Sequence, residues 1–80
     1  MERFEDLLHE RGIQIVGQYA TGSGDMVRLV LRVPEDERDL DVALSLEALV
    51  ERPEVIMREV EEMIERRREG RRAGNGHGHG

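Results

Sequence analysis

Thr21-Gly22-Ser23-Gly24-Asp25, followed by Met26-Val27-Arg28-Leu29-Val30-Leu31-Arg32-Val33, is the stretch whose reading decides the fold of this chain. Its first five residues are a dense turn signal. In the eight that follow, Val27, Leu29, Leu31 and Val33 fall on one side, and Arg28 and Arg32 on the other together with Met26 and Val30. A period of two with one apolar side predicts a half-buried strand. Before the turn, Ile13, Ile15 and Tyr19 alternate with Gln14 and Gln18, which predicts a partner strand over 13–20. Two such strands around a Gly-rich turn make a hairpin. Gly17 interrupts the first strand and marks a bulge. The side of this sheet away from the core is expected to carry Arg28, Arg32, Gln14 and Gln18.

Moving toward the C-terminus, Pro34 ends the second strand, because it lacks an N–H for the ladder. Glu35 to Asp39 is a charged turn. Leu40, Val42, Leu44 and Leu46 then alternate with Asp39, Asp41, Ala43 and Ser45. That spacing favours a third strand, to about Leu46. A helix capped by Asp39 or Asp41 competes, since Leu46, Leu49 and Val50 also fit a helical period. Residues 47–52 read as a helical turn or a loop. Pro53 suits the first position of a helix, where an N–H is not needed. Ile56, Met57, Val60, Met63 and Ile64 then form one apolar stripe, with Glu54, Arg58, Glu61, Glu62 and Glu65 around it. Arg66, Arg67 and Arg68 suit a last turn, and Gly70 is read as the end of the helix.

Toward the N-terminus, Phe4, Leu7 and Leu8 share one face of a short helix over 2–11, and Gly12 is placed to close it in a left-handed conformation. The order is α–β–β–β–α. The expected architecture is α+β: a single domain over 1–69, a three-stranded antiparallel meander with two helices on one face. Residues 70–80, rich in Gly, Arg and His without an apolar anchor, are expected to be a disordered tail.

Composition narrows the functional classes. The chain has 80 residues, no cysteine, and only Phe4 and Tyr19 as aromatics, so its core must be built from aliphatic side chains. All 12 basic residues are arginine. Residues 1–65 hold 7 Arg against 17 Asp and Glu, while residues 66–80 hold 5 Arg against Glu69 alone. No run approaches the roughly 18 apolar residues of a membrane span, and the N-terminus is charged. The expectation is a soluble intracellular protein, cytoplasmic or within an assembled particle, that does not engage membrane.

Little here suggests catalysis. Cysteine is missing, His9 is the only histidine ahead of the tail, Ser23 falls in a flexible turn and Ser45 in a strand or cap. Gly22-Ser23-Gly24 joins strand to strand and lacks a Lys, unlike a phosphate loop. The chain is therefore read as a non-enzyme, without cofactor or small-molecule substrate. His77 and His79 offer at most a weak, unselective metal site in the tail.

Arg66, Arg67, Arg68, Arg71 and Arg72 form a basic cluster that could hold nucleic-acid phosphates. The element order is also that of the double-stranded-RNA-binding domain. That family has basic residues at the start of its last helix. Here the corresponding residues are Glu51-Arg52-Pro53-Glu54, and the likeness ends at element order.

The functional expectation is a protein-interaction or assembly module, binding a protein partner or itself as a homo-oligomer. It would be a structural or accessory subunit of a larger complex such as a virus particle. Arg28 and Arg32 on the sheet and the stripe Ile56, Met57, Val60, Met63 and Ile64 are the expected contact residues. Nucleic-acid binding through the Arg cluster is the alternative, and metal binding by the His tail a further one.

Overall fold

A computed structural model describes the backbone of residues 1–76 and the side-chain environments of residues 1–70. The elements run α1 (Glu2–Glu10), β1 (Gln14–Ala20), β2 (Met26–Arg32), β3 (Leu40–Ser45), α2 (Leu46–Glu51) and α3 (Pro53–Gly76). The strands form one antiparallel sheet in the order β1-β2-β3. This is the expected α+β meander, with one helix more than the sequence reading counted.

The core follows from the alternation in β2. Val27, Leu29, Leu31 and Val33 are all buried, joined from β3 by Val42 and Leu44. The helices close over them with Phe4, Leu7 and Leu8 from α1, Leu49 from α2, and Ile56, Met57, Val60 and Ile64 from α3. α1 packs on α3, and α2 touches both. All three helices contribute to this single cluster.

α1 ends as its glycine requires. Gly12 has φ +73°, its N–H donates to the His9 carbonyl (2.9 Å), and the Ile13 N–H donates to the Leu8 carbonyl (2.9 Å). This is the Schellman pattern. It turns the chain straight into β1 and brings Ile13 down beside the core.

β3 reaches Ser45, which faces Met26 in register. Ser45 then changes role: its Oγ accepts the Ala48 N–H (3.3 Å) as the N-cap of α2. The cap is thus Ser45, and neither Asp39 nor Asp41. The Leu46 N–H donates to the Asp25 carbonyl (3.0 Å), tying the start of α2 to the hairpin turn. Arg52 ends α2 and starts α3: its N–H donates to the Ala48 carbonyl (2.7 Å), and its own carbonyl accepts from Ile56 (3.1 Å). Pro53 is buried as the first residue of α3.

Gly70 does not end α3, which continues to Gly76. A glycine inside a helix costs about 1 kcal/mol against alanine, which weakens a helix without terminating it. Among the described residues, only Gly12 and Gly24 among the glycines have positive φ. The part of the tail reading that falls on residues 77–80, including His77 and His79, lies outside the described residues. No helix among the described residues is long and apolar enough to cross a membrane.

The β2–β3 connection contains an exception to glycine's usual role. The Asp36 N–H donates to the Val33 carbonyl (3.2 Å), with Pro34 second in the turn and Glu35 third at φ 70°. A type II turn has this form and normally places glycine where Glu35 stands. Glu35→Gly should therefore raise the urea midpoint, by a few tenths of a kcal/mol after glycine's greater freedom in the unfolded chain is subtracted. Gly12→Ala should lower stability by about 1–2 kcal/mol, because the added Cβ adopts positive φ and sits 3.2 Å from Pro34 Cγ. Equal midpoints for both variants and the parent would show that neither turn is strained as described.

Candidate functional site

Because every helix lies on one side, the sheet's other side is left open, and β2 runs through its middle. Arg28, Val30 and Arg32 occupy the alternate positions of β2 that point away from the core, and Met26 lies at their end. Register decides their neighbours. Val30 faces Gly17 on β1 and Asp41 on β3; Arg28 faces Tyr19 and Ala43; Arg32 faces Gln14.

The bulge determines what β1 contributes. Ile15 pairs with Leu31 while Gly17 pairs with Val30, so one extra residue, Val16, is inserted. That residue reverses the parity of everything after it. Ile15 shares the core side with Leu31, but Tyr19 joins Arg28 on the open side and is 58% exposed. Gln18, expected beside Arg28, is in register with Leu29 and belongs to the helix side. Its expected partner in that role, Gln14, does stand on the open side beside Arg32. The ring of Tyr19 lies over Gly17: a Cβ there would meet Tyr19 Cε2 and Oη at 3.1 Å each. Glycine leaves the space that the ring occupies.

The two sheet arginines are present on this face as expected, and each has an acidic partner. Arg28 Nε donates to both oxygens of Asp41 (2.8 and 3.0 Å), and Nη2 donates to Oδ2 as well. Arg32 Nε donates to Asp39 Oδ1 (3.4 Å). The forked Arg28 contact matches the planar geometry of a carboxylate. It has electrostatic consequences: hydrogen bonding from Arg28 holds the Asp41 carboxyl below its ordinary range against the opposing effect of desolvation, with the Arg28 charge adding a lesser push downward. Hydrogen bonding to Asp41 and its charge likewise push the Arg28 guanidinium up.

The other expected contact residues lie elsewhere. Ile56, Met57, Val60 and Ile64 are buried in the core, and Met63 is partly buried against it. The stripe of α3 is the helix's own packing surface, and it cannot also face a partner. A sheet with a single apolar side needs such a stripe to cover it. The apolar groups that remain exposed are Val16, Tyr19 and Met26 on the sheet, and Leu46, Val50 and Val55 on or near α2.

The Arg cluster is divided by the fold. Arg66 reaches Glu62 one turn back (3.5 Å). Arg67 Nη2 donates to the Arg38 carbonyl (2.6 Å), and Arg68 Nη2 to the Pro34 carbonyl (3.4 Å). Arg68 Nε also stands 3.8 Å from the buried carboxylate of Asp36. Arg67 and Arg68 thus clasp the β2–β3 loop to α3. The side chains of Arg71 and Arg72 lie outside the described residues.

A groove of about 250 Å³ opens beside this clasp, lined by Arg11, Ile13, Pro34, Glu61 and Arg68 among others. Arg11, Glu61 and Arg68 among its charges are matched within the chain. Arg11 donates to Glu61 (2.9 Å) and to the Leu7 carbonyl (2.8 Å), and Arg68 is held as described. His9 is exposed on α1. Among the described residues, no three His, Cys, Asp or Glu side chains converge as a metal ligand set.

Asp39, Asp41 and Tyr19 are the site residues that sequence reasoning missed. The alternation of Asp39 and Asp41 with Leu40 and Val42 was visible, but which arginine each would meet depends on β2–β3 register. Comparison with known proteins gives no match to a family model, to a curated protein or to a solved structure.

The Arg28–Asp41 pair generates a titration prediction. A carboxyl held low in the folded state contributes stability that is present above its unfolded pKa and is lost as pH falls through the folded one. Carboxyl NMR of the full chain should therefore show Asp41 titrating below the ordinary aspartate value. Arg28→Gln should return it upward, and should flatten the acid limb of the stability curve. An Asp41 titration unmoved by Arg28→Gln would remove the pair as the cause.

Proposed function

We propose that this chain is a non-enzymatic protein-interaction module, acting in assembly as a structural or accessory subunit, with the helix-free side of its sheet as the contact surface. The observation that carries this reading is the composition of that side. Exposed Tyr19, half-buried Val30 and exposed Met26 stand among two arginines and two aspartates that already pair with each other.

Several physical features support it. Tyrosine and arginine are enriched at protein interfaces, since each combines a large contact area with directional hydrogen bonding. Tyr19 is positioned by the bulge and rests on Gly17, so little of its freedom remains to be lost on binding. Charges that are paired before contact are not orphaned when water leaves. The face also differs in charge from the rest of the chain, which bears a net −6. Arg28, Arg32, Asp39 and Asp41 sum to zero, so a partner can approach this side without meeting that excess.

The nucleic-acid reading draws less support. Arg67 and Arg68 spend donors on loop carbonyls, and Arg66 is matched by Glu62. The α3 surface leading to the cluster carries Glu54, Glu59, Glu61, Glu62 and Glu65, which repel phosphate.

A photo-cross-linking amino acid in place of Tyr19, in the full chain expressed in the cells that make it, tests this reading. Irradiation should give a covalent protein adduct, while the same group at Glu62, on the exposed side of α3, should give none. No adduct at position 19, or equal adducts at both positions, would overturn the assignment of the sheet as the contact surface.

A further inference from the structure

We infer that the occupant of the open sheet face is a second copy of this chain, packed sheet to sheet about a two-fold axis running along the strands between β2 and β3. This inference rests on the reading of that face as the contact surface.

The argument is one of charge complementarity. On the open side, β2 carries a column of cations, Arg28 and Arg32, and the adjacent β3 edge carries a column of anions, Asp39 and Asp41. Two copies related by a two-fold axis present the same surface to each other, so the contact must be self-complementary. An axis lying over β2 would set arginine against arginine. An axis between β2 and β3 lays each arginine column over the partner's aspartate column, and the reverse. Each guanidinium then stands between its own carboxylate and one from the other copy.

Everything else favours that arrangement over other pairings. The chain carries net charge −6, so copies meeting through their acidic helical surfaces repel each other. The open face is the surface described here on which cations and anions balance in adjacent columns. Aligned sheets pack about 10 Å apart with side chains interleaved. Val30, between the two arginines of its column, and Ala43, next to Asp41 and opposite Arg28, supply the apolar filling. The axis overlaps β2 and β3 of the two copies, strands of six or seven residues, for a footprint of only roughly 200 Å² per copy. This is below the size of stable specific interfaces and in the range of weak, transient contacts, so the dimer should come apart on dilution.

The test uses the full chain and two charge-reversed faces. R28D/R32D makes the open side wholly acidic, and D39R/D41R makes it wholly basic. Light scattering of the parent over a concentration series should move from twice the chain mass toward once on dilution. Each variant alone should stay at the single-chain mass, and an equimolar mixture should restore twice that mass as a one-to-one complex. Circular dichroism checks that both variants fold. Should either fail, Arg28→Gln replaces it and should weaken self-association at least tenfold, with Arg58→Gln on α3 leaving it unchanged.

A parent that stays monomeric up to about 500 µM, or charge-reversed variants that still dimerise alone, would overturn the inference. A second cross-linking group at Ala43, which this axis sets against the partner's β2, separates this from the broader reading. Twice the chain mass supports a second copy. A different mass overturns the second copy and leaves the surface assignment standing. The absence of any adduct removes both.

Discussion

The fold depends on burying one side of β2. Val27, Leu29 and Leu31 lie in a line on a strand that is hydrogen-bonded to a neighbour on each edge, and Val33 continues the line just past its end. Leu29 and Leu31 have no exposed surface at all. A domain of this size has a thin stability margin, and truncating one such leucine costs about 2–5 kcal/mol. The helices must therefore all gather on that side. The consequence reaches the other side, where nothing remains to cover the sheet. The open face is thus what is left when a chain commits most of its apolar residues to one layer.

The terminal helix serves this constraint at both ends. Its stripe closes the core, and Arg67 and Arg68 reach across to the loop that follows β2. That loop turns at Glu35 with a positive φ and holds a buried carboxylate at Asp36 beside Arg68. At Gly12, the left-handed close of α1, an added Cβ would press on Pro34 in the same loop. Three segments distant in sequence therefore meet around residues 34–38. Within a run of arginines that reads as a phosphate-binding cluster in one dimension, Arg67 and Arg68 serve, in three, as a fastening for that loop.

Electrostatics divides the surface into two kinds. The helical side gathers most of the acidic residues, which keep copies apart by repulsion. The sheet side neutralises itself through Arg28–Asp41 and Arg32–Asp39. An exposed ion pair adds little to stability, so these pairs are better understood as setting the character of a surface than as holding the fold. Tyr19 adds an exposed aromatic ring, and its side of the sheet follows from one inserted residue in β1.

Much of the fold was legible in the sequence, and for a local reason. Strand alternation in β2 and β3, the apolar faces of α1 and α3, the glycine close at Gly12 and the proline start at Pro53 each rest on residues a few positions apart. The bulge at Gly17 was legible too, as was the outward placement of Arg28 and Arg32. Other features were hidden because their cause is distant. Tyr19 and Gln18 exchange sides through a shift of one residue, and only pairing with β2 fixes where that shift falls. Asp41 meets Arg28 through strand register, and Arg67 meets Arg38 across 29 positions. Whether the Ile56–Ile64 stripe would face a partner or the domain itself could not be read from the helix alone, since both choices require the same spacing. Short-range periodicity determined which elements form and which side of each is apolar. Tertiary packing decided which apolar surface is consumed internally and which charges find partners, because those outcomes depend on distances between segments that the local pattern does not encode.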